Sequence, residues 1–502
     1  MNLESRDLRA AAESELASRL SNRYLEEHKL IPLEIDSAGY LRVAAAGTPD
    51  QTVLDELARV FGRDLRIVQV PASELLAALM SVKPAAENGD SATASYRDVR
   101  ADDLAVDHLE ALANEAPVVK LVNVLLVDAL RLGASDVHLE SLSDGLRVRY
   151  RIDGVLQDIS RIADVYRAAV VSRVKIMAGL DIAERRLPQD GRSRLVIGER
   201  EVDVRVSSLP ALHGESIVLR MLDHGARPRR LEELGMPDEI RSKFERILAR
   251  TSGIVVVTGP TGSGKTTTLY AALERVNSTG VKIVTIEEPV EYQIPGVIQI
   301  PVNPKVDFGF SDALRSILRH DPDIIMVGEM RDAETAEIAV QAALTGHLVF
   351  STLHTAEAAG AVSRLADMGV EAFRIAAAVQ AVIAQRLVRL LCEACAVPYV
   401  PSAAELADAP EPDAREANYR RPAGCERCAK SGYRGRTGVY ELMAFSEGER
   451  SLIAAGATLA QLRSAARENG TVALEAAAWK LVRAGATSIA ELRRAVGSAN
   501  EA

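Results

Sequence analysis

The stretch "IVVVTGPTGSGKTTTLYAAL", residues 254–273, decides the fold of this 502-residue chain. It begins with a continuous apolar run, continues with Gly259-x4-Gly264-Lys265-Thr266, and ends in residues that favour a helix. This is the phosphate-loop pattern between a strand and a helix. The glycines allow backbone N–H groups to converge on a β-phosphate at a helix N-terminus, where the helix dipole favours an anion. The stretch therefore predicts a nucleotide site.

The sequence around this loop predicts an α/β fold. Apolar runs such as "KIVTI" (282–286), "DIIMVG" (323–328) and "LVFSTLH" (348–354) alternate with helical stretches, which is typical of a parallel sheet covered on both faces. Lys265 is expected to reach the β- and γ-phosphates, and the Thr266 hydroxyl to join the Mg²⁺ shell. The residues predicted to surround ATP are Gly259, Pro260, Thr261, Gly262, Ser263, Gly264, Lys265, Thr266 and Thr267.

Acidic residues follow two of the predicted strands. In "DPDIIMVGEMRD" (321–332), Glu329 comes directly after a buried run, where a carboxylate beside the γ-phosphate can polarise the attacking water. A solvated acid is the competing interpretation. The usual strand-end Asp is absent, so Mg²⁺ would be held more through water than directly. In "VTIEEPVEY" (284–292), one of Glu287, Glu288 and Glu291 could orient water or metal, and the sequence does not decide which.

Two histidines flank a third apolar run, "TGHLVFSTLHT" at residues 345–355. A lone histidine is more often structural than catalytic, but a polar residue at the end of a core strand could sense the γ-phosphate. We therefore predict a nucleotide-linked role for both His347 and His354.

Charge and hydropathy disfavour two classes of protein. The formal net charge is −10, so the chain lacks the basic field of a protein that coats DNA or RNA, and no nucleic-acid partner is expected. The most apolar stretches, 118–130 and 375–391, are short and interrupted by polar residues, which argues against a bilayer span. Within the second, "VIAQRLVRLL" is expected to be a helix. The N-terminus has no apolar signal-peptide core, so we expect a cytosolic protein or one docked on a membrane through a partner.

Changes in composition and in hydrophobic pattern along the sequence suggest several domains. Residues 146–152 alternate apolar side chains with Arg147, Arg149 and Arg151, the period of a half-buried strand whose arginines line a solvated face. The predicted parts are 1–80, a small α/β N-terminal domain; 81–101, a linker; 102–226, a strand-rich second N-terminal domain; 227–391, the nucleotide-binding core; 392–429, a tetracysteine subdomain; and 430–502, a C-terminal helical region.

All four cysteines fall in one short stretch, as Cys392-x2-Cys395 and Cys425-x2-Cys428. In a reducing cytosol, paired cysteines are more often metal ligands or redox groups than disulfides. Four thiolates suit tetrahedral Zn²⁺ and leave no open position, so the predicted site is structural. A redox role would need a single C-x-x-C at a helix start in a thioredoxin-like unit, which the sequence does not show, and free thiols are the remaining alternative.

Taken together, these motifs resemble those of the secretion ATPases of type II secretion systems (GspE-type) and type IV pili. "GPTGSGKTTTLY" resembles the family's Walker A motif, "IEEPVEY" its Asp box, "VGEMRD" its Walker B motif and "TGHLVFSTLHT" its His box. Upstream, "GASDVHLE", "RYRIDGVL", "RLPQDGR" and "RVSSLPALHGESIVLRML" resemble its second N-terminal domain, and "GYRGRTGVYELM" the segment after its metal site. The resemblance covers about residues 100–445, and Glu288 stands where the Asp box commonly has Asp.

The resemblance implies a RecA-like parallel-sheet core, a strand-rich, PAS-like second N-terminal domain and a homo-hexameric ring. In the family's rings, arginines of that domain reach a bound nucleotide, and Arg205 and Arg220 stand at the matching positions. With ATP, Mg²⁺ and Zn²⁺ as cofactors, the catalytic residues would be Glu329, Lys265, Glu287, Glu288, His354, Arg205 and Arg220.

The resemblance also implies a biological role. Residues 1–80 resemble the first N-terminal domain, which in type II secretion docks on an inner-membrane platform protein. We therefore expect a Mg²⁺-dependent ATPase that drives pseudopilus assembly and protein export, held on the cytoplasmic face of the inner membrane by GspL-like and GspF-like partners. Type IV pilus assembly is the alternative, although a single short N-terminal module favours secretion. A nucleic-acid motor and a non-hydrolysing nucleotide-binding scaffold are more remote alternatives.

Overall fold

A computed structural model describes residues 5–81 (without 13, 15, 18–19, 21–23, 26–27, 37 and 48), 112–197, 200–223, 229–303, 306–410 and 417–497. The predicted linker, 81–101, lies outside these residues apart from its first position. The chain divides into two compact units, Met1–Ala226 and Arg227–Ala502. Among the described residues, none of the helices combines the length and hydropathy that crossing a bilayer requires.

The first unit opens with a small α/β module. Its strands lie in the order β1-β2-β3, with β1 antiparallel and β3 parallel to β2. In the last helix, Leu75 and Leu79 lie in the core of this module, whereas Leu76 lies in the core of the next sheet. The described elements are α1 (Ser5–Ala12), β1 (Leu30–Ile35), β2 (Leu41–Ala45), α2 (Gln51–Phe61), β3 (Leu65–Gln69) and α3 (Ala72–Ser81).

A six-stranded antiparallel sheet follows, in the order β6-β5-β4-β9-β8-β7. Leu146, Val148 and Tyr150 of β5 are fully buried, and the Tyr150 hydroxyl donates to the Leu125 carbonyl of α4 at 2.7 Å. The predicted alternation is therefore confirmed, with the arginines of β5 on the other face. The elements are α4 (Ala116–Arg131), β4 (Ala134–Leu142), β5 (Gly145–Ile152), β6 (Val155–Ile162), α5 (Asp164–Met177), β7 (Gln189–Ile197), β8 (Arg200–Ala211) and β9 (Gly214–Asp223).

The second unit contains the phosphate loop, the cysteines and the C-terminal helices. Short 3₁₀ turns lie at Leu231–Leu234 and Glu426–Cys428. The remaining elements are α6 (Asp238–Leu248), β10 (Gly253–Thr258), α7 (Lys265–Val276), β11 (Ile283–Glu287), β12 (Ile298–Pro301), α8 (Phe310–Ile317), β13 (Ile324–Val327), α9 (Ala333–Leu344), β14 (Leu348–Leu353), α10 (Gly360–Asp367), α11 (Ala372–Ala378), β15 (Val379–Leu391), β16 (Val397–Pro398), β17 (Arg420–Arg421), β18 (Tyr433–Ala444), α12 (Glu447–Ala454), α13 (Leu459–Glu468), α14 (Leu474–Arg483) and α15 (Ile489–Val496).

The main sheet of this unit has the order β12-β11-β13-β14-β10-β15-β18 and is parallel except for β18. Successive side chains of β10 enter two different cores: Ile254 and Val256 lie in one, and Val255 and Val257 in the other. Both faces of the main sheet are therefore covered, which explains why its strands appear in the sequence as continuous apolar runs. The RecA-like α/β core is confirmed.

One local prediction in this unit is wrong. "VIAQRLVRLL" forms most of strand β15, not a helix, because β15 is paired with β10 on one side and β18 on the other. A strand buried on both faces lacks period-two alternation, so its pattern cannot be told from that of a buried helix. The region 430–502 contains the predicted C-terminal helices, and it opens with β18, which completes the main sheet. The cysteine segment lies in the connection between β15 and β18.

Candidate active site

The phosphate loop joins the carboxyl end of β10 to the first turn of α7. Gly259 and Gly264 have φ angles of 149° and 88°. A Cβ at Gly259 would lie 2.5 Å from the carbonyl oxygen of Gln385, and one at Gly264 would lie 2.8 Å from the Gln385 Nε2. Both the backbone angle and the close neighbour therefore require glycine at these two positions. Thr266 is exposed in the first turn of α7, as a ligand of a bound cation must be.

Gln385 of β15 supports the loop from inside the sheet. Its side chain is 2% exposed. Its Nε2 donates to the Ser263 carbonyl at 2.9 Å, and its Oε1 accepts from the Thr268 hydroxyl of α7 at 2.7 Å. One buried amide thus fixes both the loop and the helix that follows it. Gln385 is not among the predicted site residues, because its stretch has the pattern expected of a helix.

Lys265 is the first residue of α7, directly after the glycines of the phosphate loop. Its Nζ donates to the carbonyls of Gly259 at 2.7 Å and Pro260 at 3.2 Å. Burial lowers the pKa of Lys265, the Glu329 carboxylate acts in the opposite direction, and the Arg386 guanidinium lowers the pKa further. Lys265, Glu329 and Arg386 therefore share one electrostatic environment, although they come from the start of α7, the segment after β13 and the interior of β15.

Glu329 follows β13 at the carboxyl edge of the sheet, where open α/β sheets bind ligands. The Thr352 hydroxyl of β14 donates to the Gly328 carbonyl at 2.7 Å, and the Met330 N–H donates to the Thr352 carbonyl at 3.2 Å. These two bonds fix the backbone on both sides of Glu329. The Glu329 side chain is only 16% exposed, and its Oε2 lies 3.4 Å from Nε2 of His354.

Arg331 connects two acidic side chains at this edge. It forms an ion pair with the Glu329 Oε1 at 2.5 Å and with the Glu288 Oε2 at 3.2 Å. The bond to Glu329 raises the pKa of Arg331, burial opposes that change, and the charges of both carboxylates add to it. The structure therefore brings Glu288 and Glu329 together around the Arg331 guanidinium, with His354 beside Glu329. Arg331 lies in the same motif as Glu329 but was not among the predicted site residues.

Glu287 lies elsewhere, although it is next to Glu288 in sequence. It is 3% exposed, and its carboxylate accepts from the hydroxyls of Tyr270 and Thr285 (2.6 Å for Thr285) and from the Gln299 Nε2 at 3.1 Å. Three donors in the interior hold this carboxylate away from Glu329. The geometry therefore favours Glu288 over Glu287 as the Asp-box group that faces a nucleotide.

The two histidines lie at opposite ends of β14. His354 follows its carboxyl end, whereas His347 precedes its amino end, where its Nδ1 lies 2.9 Å from the Ala342 carbonyl. Six strand residues separate them, which corresponds to roughly 20 Å. The parallel strand β10 carries the phosphate loop at its carboxyl end. The structure therefore does not bring His347 to the loop, and a role at the nucleotide is proposed for His354 alone.

In the first unit, arginines form a row across the strands of the six-stranded sheet. Arg205 of β8 lies directly opposite Arg220 of β9 and Arg192 of β7. These three arginines, with Asp190, line a surface pocket of about 360 Å³. The Arg220 Nε donates to Asp136 at 3.0 Å. Three guanidinium groups beside one another around a pocket suit an anionic ligand.

The arginines of β5 have partners on the protein. The Nε atoms of Arg147 and Arg149 both donate to Glu140, at 2.9 and 3.1 Å, and the Arg151 Nε lies 3.6 Å from Asp136. Each of these three arginines therefore has a carboxylate partner on the sheet face, in agreement with a structural role.

The four cysteines converge in the connection between β15 and β18, with all four Sγ atoms within 4.8 Å of one another. Sγ–Sγ distances are 3.9 Å for Cys392 and Cys425, 3.8 Å for Cys395 and Cys428, and 3.7 Å for Cys425 and Cys428. Tetrahedral zinc with Zn–S distances of about 2.3 Å requires edges of about 3.8 Å. Burial opposes ionisation of Cys428, but N–H groups of Cys425 and Gly432 lower its pKa to about 7. The cluster therefore fits a tetrahedral metal.

Comparison with known proteins gives consistent matches. Residues 111–494 match the model of the "Type II/IV secretion system protein" family, and residues 2–88 match that of the "MshEN domain". The chain is 47% identical over 387 residues to the type II secretion system ATPase E of Vibrio cholerae, covering 76% of each chain. It is 41% identical over 494 residues to the type IV pilus assembly ATPase PilB of Myxococcus xanthus, covering 96% of this chain and 86% of PilB.

Among solved structures, the chain is similar to the pilus retraction motor PilT with bound ADP. The TM-score is 0.51 at 26% sequence identity, covering 76% of this chain and 97% of PilT. The secretion family match extends from the six-stranded sheet to the C-terminal helices and includes the phosphate loop and the four cysteines. It confirms the resemblance that the motifs indicate. The chain belongs to the type II/IV secretion system protein family.

Proposed function

We propose that this protein is the ATP-hydrolysing motor of a type II secretion system, which couples hydrolysis to pseudopilus assembly and protein export. One observation carries the ATPase part of the proposal. Lys265 of the phosphate loop shares an electrostatic environment with Glu329, and Glu329 is held by Arg331 and within 3.4 Å of His354. A phosphate-binding cation and a strand-end base thus meet at the same edge of the sheet.

In this proposal, Lys265 leaves the carbonyls of its own loop to contact the β- and γ-phosphates. Glu329 accepts a proton from the attacking water, a role that requires a carboxylate of restricted mobility within hydrogen-bonding distance. His354 lies beside Glu329 and contacts the γ-phosphate. Arg331 keeps Glu329 and Glu288 at a fixed separation, so that Glu288 orients water.

The residues fit a magnesium nucleotide. The Thr266 hydroxyl would hold the ion together with water that Glu288 orients, and the ion would offset the charge of the β- and γ-phosphates. The exposure of Thr266 and the carboxylate of Glu288 beside Glu329 support this assignment.

Arg205 and Arg220 are proposed to contribute guanidinium groups to the nucleotide in a ring of six copies. Their direct opposition on β8 and β9 supports binding of an anion. Each is expected to lower kcat when replaced by alanine. Loss of ATP turnover in Arg205→Ala but full turnover in Arg147→Ala, which is paired with Glu140, would agree with this assignment.

The cysteine cluster is proposed to hold one Zn²⁺ with a structural role. Four thiolates occupy all four positions of a tetrahedral ion, so no site remains for water or substrate. The ion would link the end of β15 to the start of β18, two neighbouring strands of the main sheet.

The type II ATPase of V. cholerae supports secretion, with 47% identity over 387 residues, whereas the PilB match at 41% identity extends over 494 residues. We propose a cytoplasmic protein held peripherally at the inner membrane by platform proteins. The test is co-purification of the full chain with GspL-like and GspF-like proteins. Binding through residues 1–80 supports secretion, and binding to pilus assembly proteins alone would favour the alternative.

The enzymatic proposal has a direct test. Lys265→Ala and Glu329→Gln are each expected to abolish ATP turnover, measured as phosphate release. Addition of DNA or RNA should leave the turnover of the parent protein unchanged. Near-normal turnover in either variant would contradict the site assignment, and stimulation by nucleic acid would favour a nucleic-acid motor.

A further inference from the structure

The six residues 354–359, between β14 and α10, are called the post-histidine loop, and His354 is its first residue. The start of this loop is fastened to the strand that carries the phosphate loop. The Thr355 N–H donates to Thr258 Oγ1 at 2.8 Å, and the Thr258 hydroxyl lies 3.0 Å from the Thr355 carbonyl. Thr258 is fully buried and immediately precedes Gly259. The backbones that carry His354 and the phosphate loop are therefore joined through one hydroxyl.

The second half of the post-histidine loop is fastened to the C-terminal helical region. The Arg463 Nε of α13 donates to both carboxylate oxygens of Glu357, at 2.9 and 2.7 Å. The Ala358 N–H donates to the Glu441 Oε1 at 2.9 Å, and the Leu474 N–H at the start of α14 donates to the Glu441 Oε2 at 3.1 Å. One carboxylate thus joins the loop to a helix that begins more than a hundred residues later in the chain.

The Glu441 carboxylate, which bonds to both the post-histidine loop and α14, cannot move freely because it is buried. Its side chain lies in β18 and the residue is 8% exposed. Burial raises its pKa, and the N–H groups of Ala358 and Leu474 act in the opposite direction. Moving the carboxylate would leave one of these buried N–H groups without its acceptor, which costs about 1–3 kcal/mol. The loop and α14 are therefore expected to move together or not at all.

We propose that Arg463 and Glu441 are positioning residues for His354, through which the C-terminal helical region controls the rate of ATP hydrolysis. The inference rests on the proposed function. The His354 side chain is 50% exposed and lies beside Glu329, so the backbone of the post-histidine loop sets how the ring approaches that carboxylate. Misplacement of a catalytic group by about 1 Å can cost up to about a hundredfold in rate.

The experiment measures single-turnover hydrolysis of bound ATP in the full-length protein, expressed per mole of ATP bound. This normalisation removes any misfolded fraction, so a merely structural role would not change the rate constant. Arg463→Ala, Glu357→Ala and their double variant are each expected to be about five- to twentyfold slower than the parent, with the Kd for ATP within about twofold. The double variant is expected to be no slower than either single variant, because all three break the same contact.

Two further variants complete the test. Glu441→Gln keeps the side-chain volume and is expected to slow the same step, and Arg463→Lys to recover part of the rate. Arg493→Ala is the matched control, because Arg493 also lies in a C-terminal helix and pairs with a carboxylate, Asp408, at 3.5 Å. Its rate should stay within about twofold of the parent.

The inference is overturned if Arg463→Ala and Glu441→Gln both hydrolyse bound ATP within about twofold of the parent rate, or if Arg493→Ala is slowed equally. An increase in Kd with an unchanged rate constant would also overturn it, because the residues would then serve binding. Failure of the proposed function is a separate result: it appears as full turnover in Lys265→Ala or Glu329→Gln, whatever the Arg463 variants do.

Discussion

Replacement of Gln385 by leucine tests how the phosphate loop is held in shape. The buried amide of Gln385 is the side chain that bonds to both the Ser263 carbonyl and the Thr268 hydroxyl. Leucine has a similar volume, so Gln385→Leu removes the two hydrogen bonds without opening a large cavity.

The cost follows from the two groups that lose a partner. The Thr268 hydroxyl can turn to a carbonyl of its own helix, so its loss is small. The Ser263 carbonyl loses its donor in a buried environment, which costs about 1–3 kcal/mol. Because nucleotide binding needs the loop in its present conformation, this cost is expected to raise the Kd for ATP by about 5- to 150-fold.

The assay is isothermal titration of ATP into the parent and variant proteins. Gln380→Leu is the control, because Gln380 lies in the same strand and accepts from Arg450 at 2.8 Å, outside the phosphate loop. Its Kd is expected to stay within about twofold of the parent. A Kd for Gln385→Leu within that range, with an unchanged melting temperature, would refute the reasoning.

Three further predictions concern other residues. Glu288→Gln is expected to lower kcat about tenfold, because it releases Arg331. Glu287→Gln should instead lower the melting temperature and leave kcat per folded protein within about twofold of the parent. Equal losses of kcat in the two variants would contradict the assignment of Glu288. Cys428→Ser should reduce zinc, measured by mass spectrometry, from about one ion per chain to near zero, and retained zinc would exclude this site. Burial raises the pKa of Glu491, but the bonds from Arg494 and Arg389 outweigh burial and hold this pKa below 4.5 in the folded protein. The ionised carboxylate therefore stabilises the fold above about pH 4.5, the pKa of an unfolded glutamate. This stabilisation is lost as the pH falls through the pKa of the folded state. Glu491→Gln should therefore lower the free energy of unfolding by about 2–3 kcal/mol near pH 7, measured by chemical unfolding. The difference in stability between parent and variant should narrow below about pH 4. A difference that does not change with pH would contradict this prediction.

The local patterns of the sequence were sufficient to locate the phosphate loop and the four-cysteine cluster. The phosphate loop is continuous, so strand, glycines and helix appear in one stretch that ends at Leu273. The cysteine pairs are also local, and their convergence needs only the chemistry of four thiolates. The alternation in β5 correctly placed Tyr150 in the core and the arginines on the opposite face.

Contacts between distant segments were not predictable in the same way. Gln385 acts on a loop more than a hundred residues earlier, and nothing in its own stretch indicates that contact. Glu287 is the last residue of β11, whereas Glu288 lies in the bend that follows, and the sequence does not show that the first is buried while the second reaches Arg331. The prediction for His347 overlooked strand direction: it precedes β14, whereas ligands bind at the carboxyl ends of parallel strands.

The central claim is that Glu329 is the base for hydrolysis of ATP held by the phosphate loop. The most direct measurement is the rate of hydrolysis of bound ATP in Glu329→Gln, with ATP binding measured on the same sample. The account predicts a Kd for ATP within about threefold of the parent and a rate constant at least about a hundredfold lower. A rate constant within about threefold of the parent would contradict it.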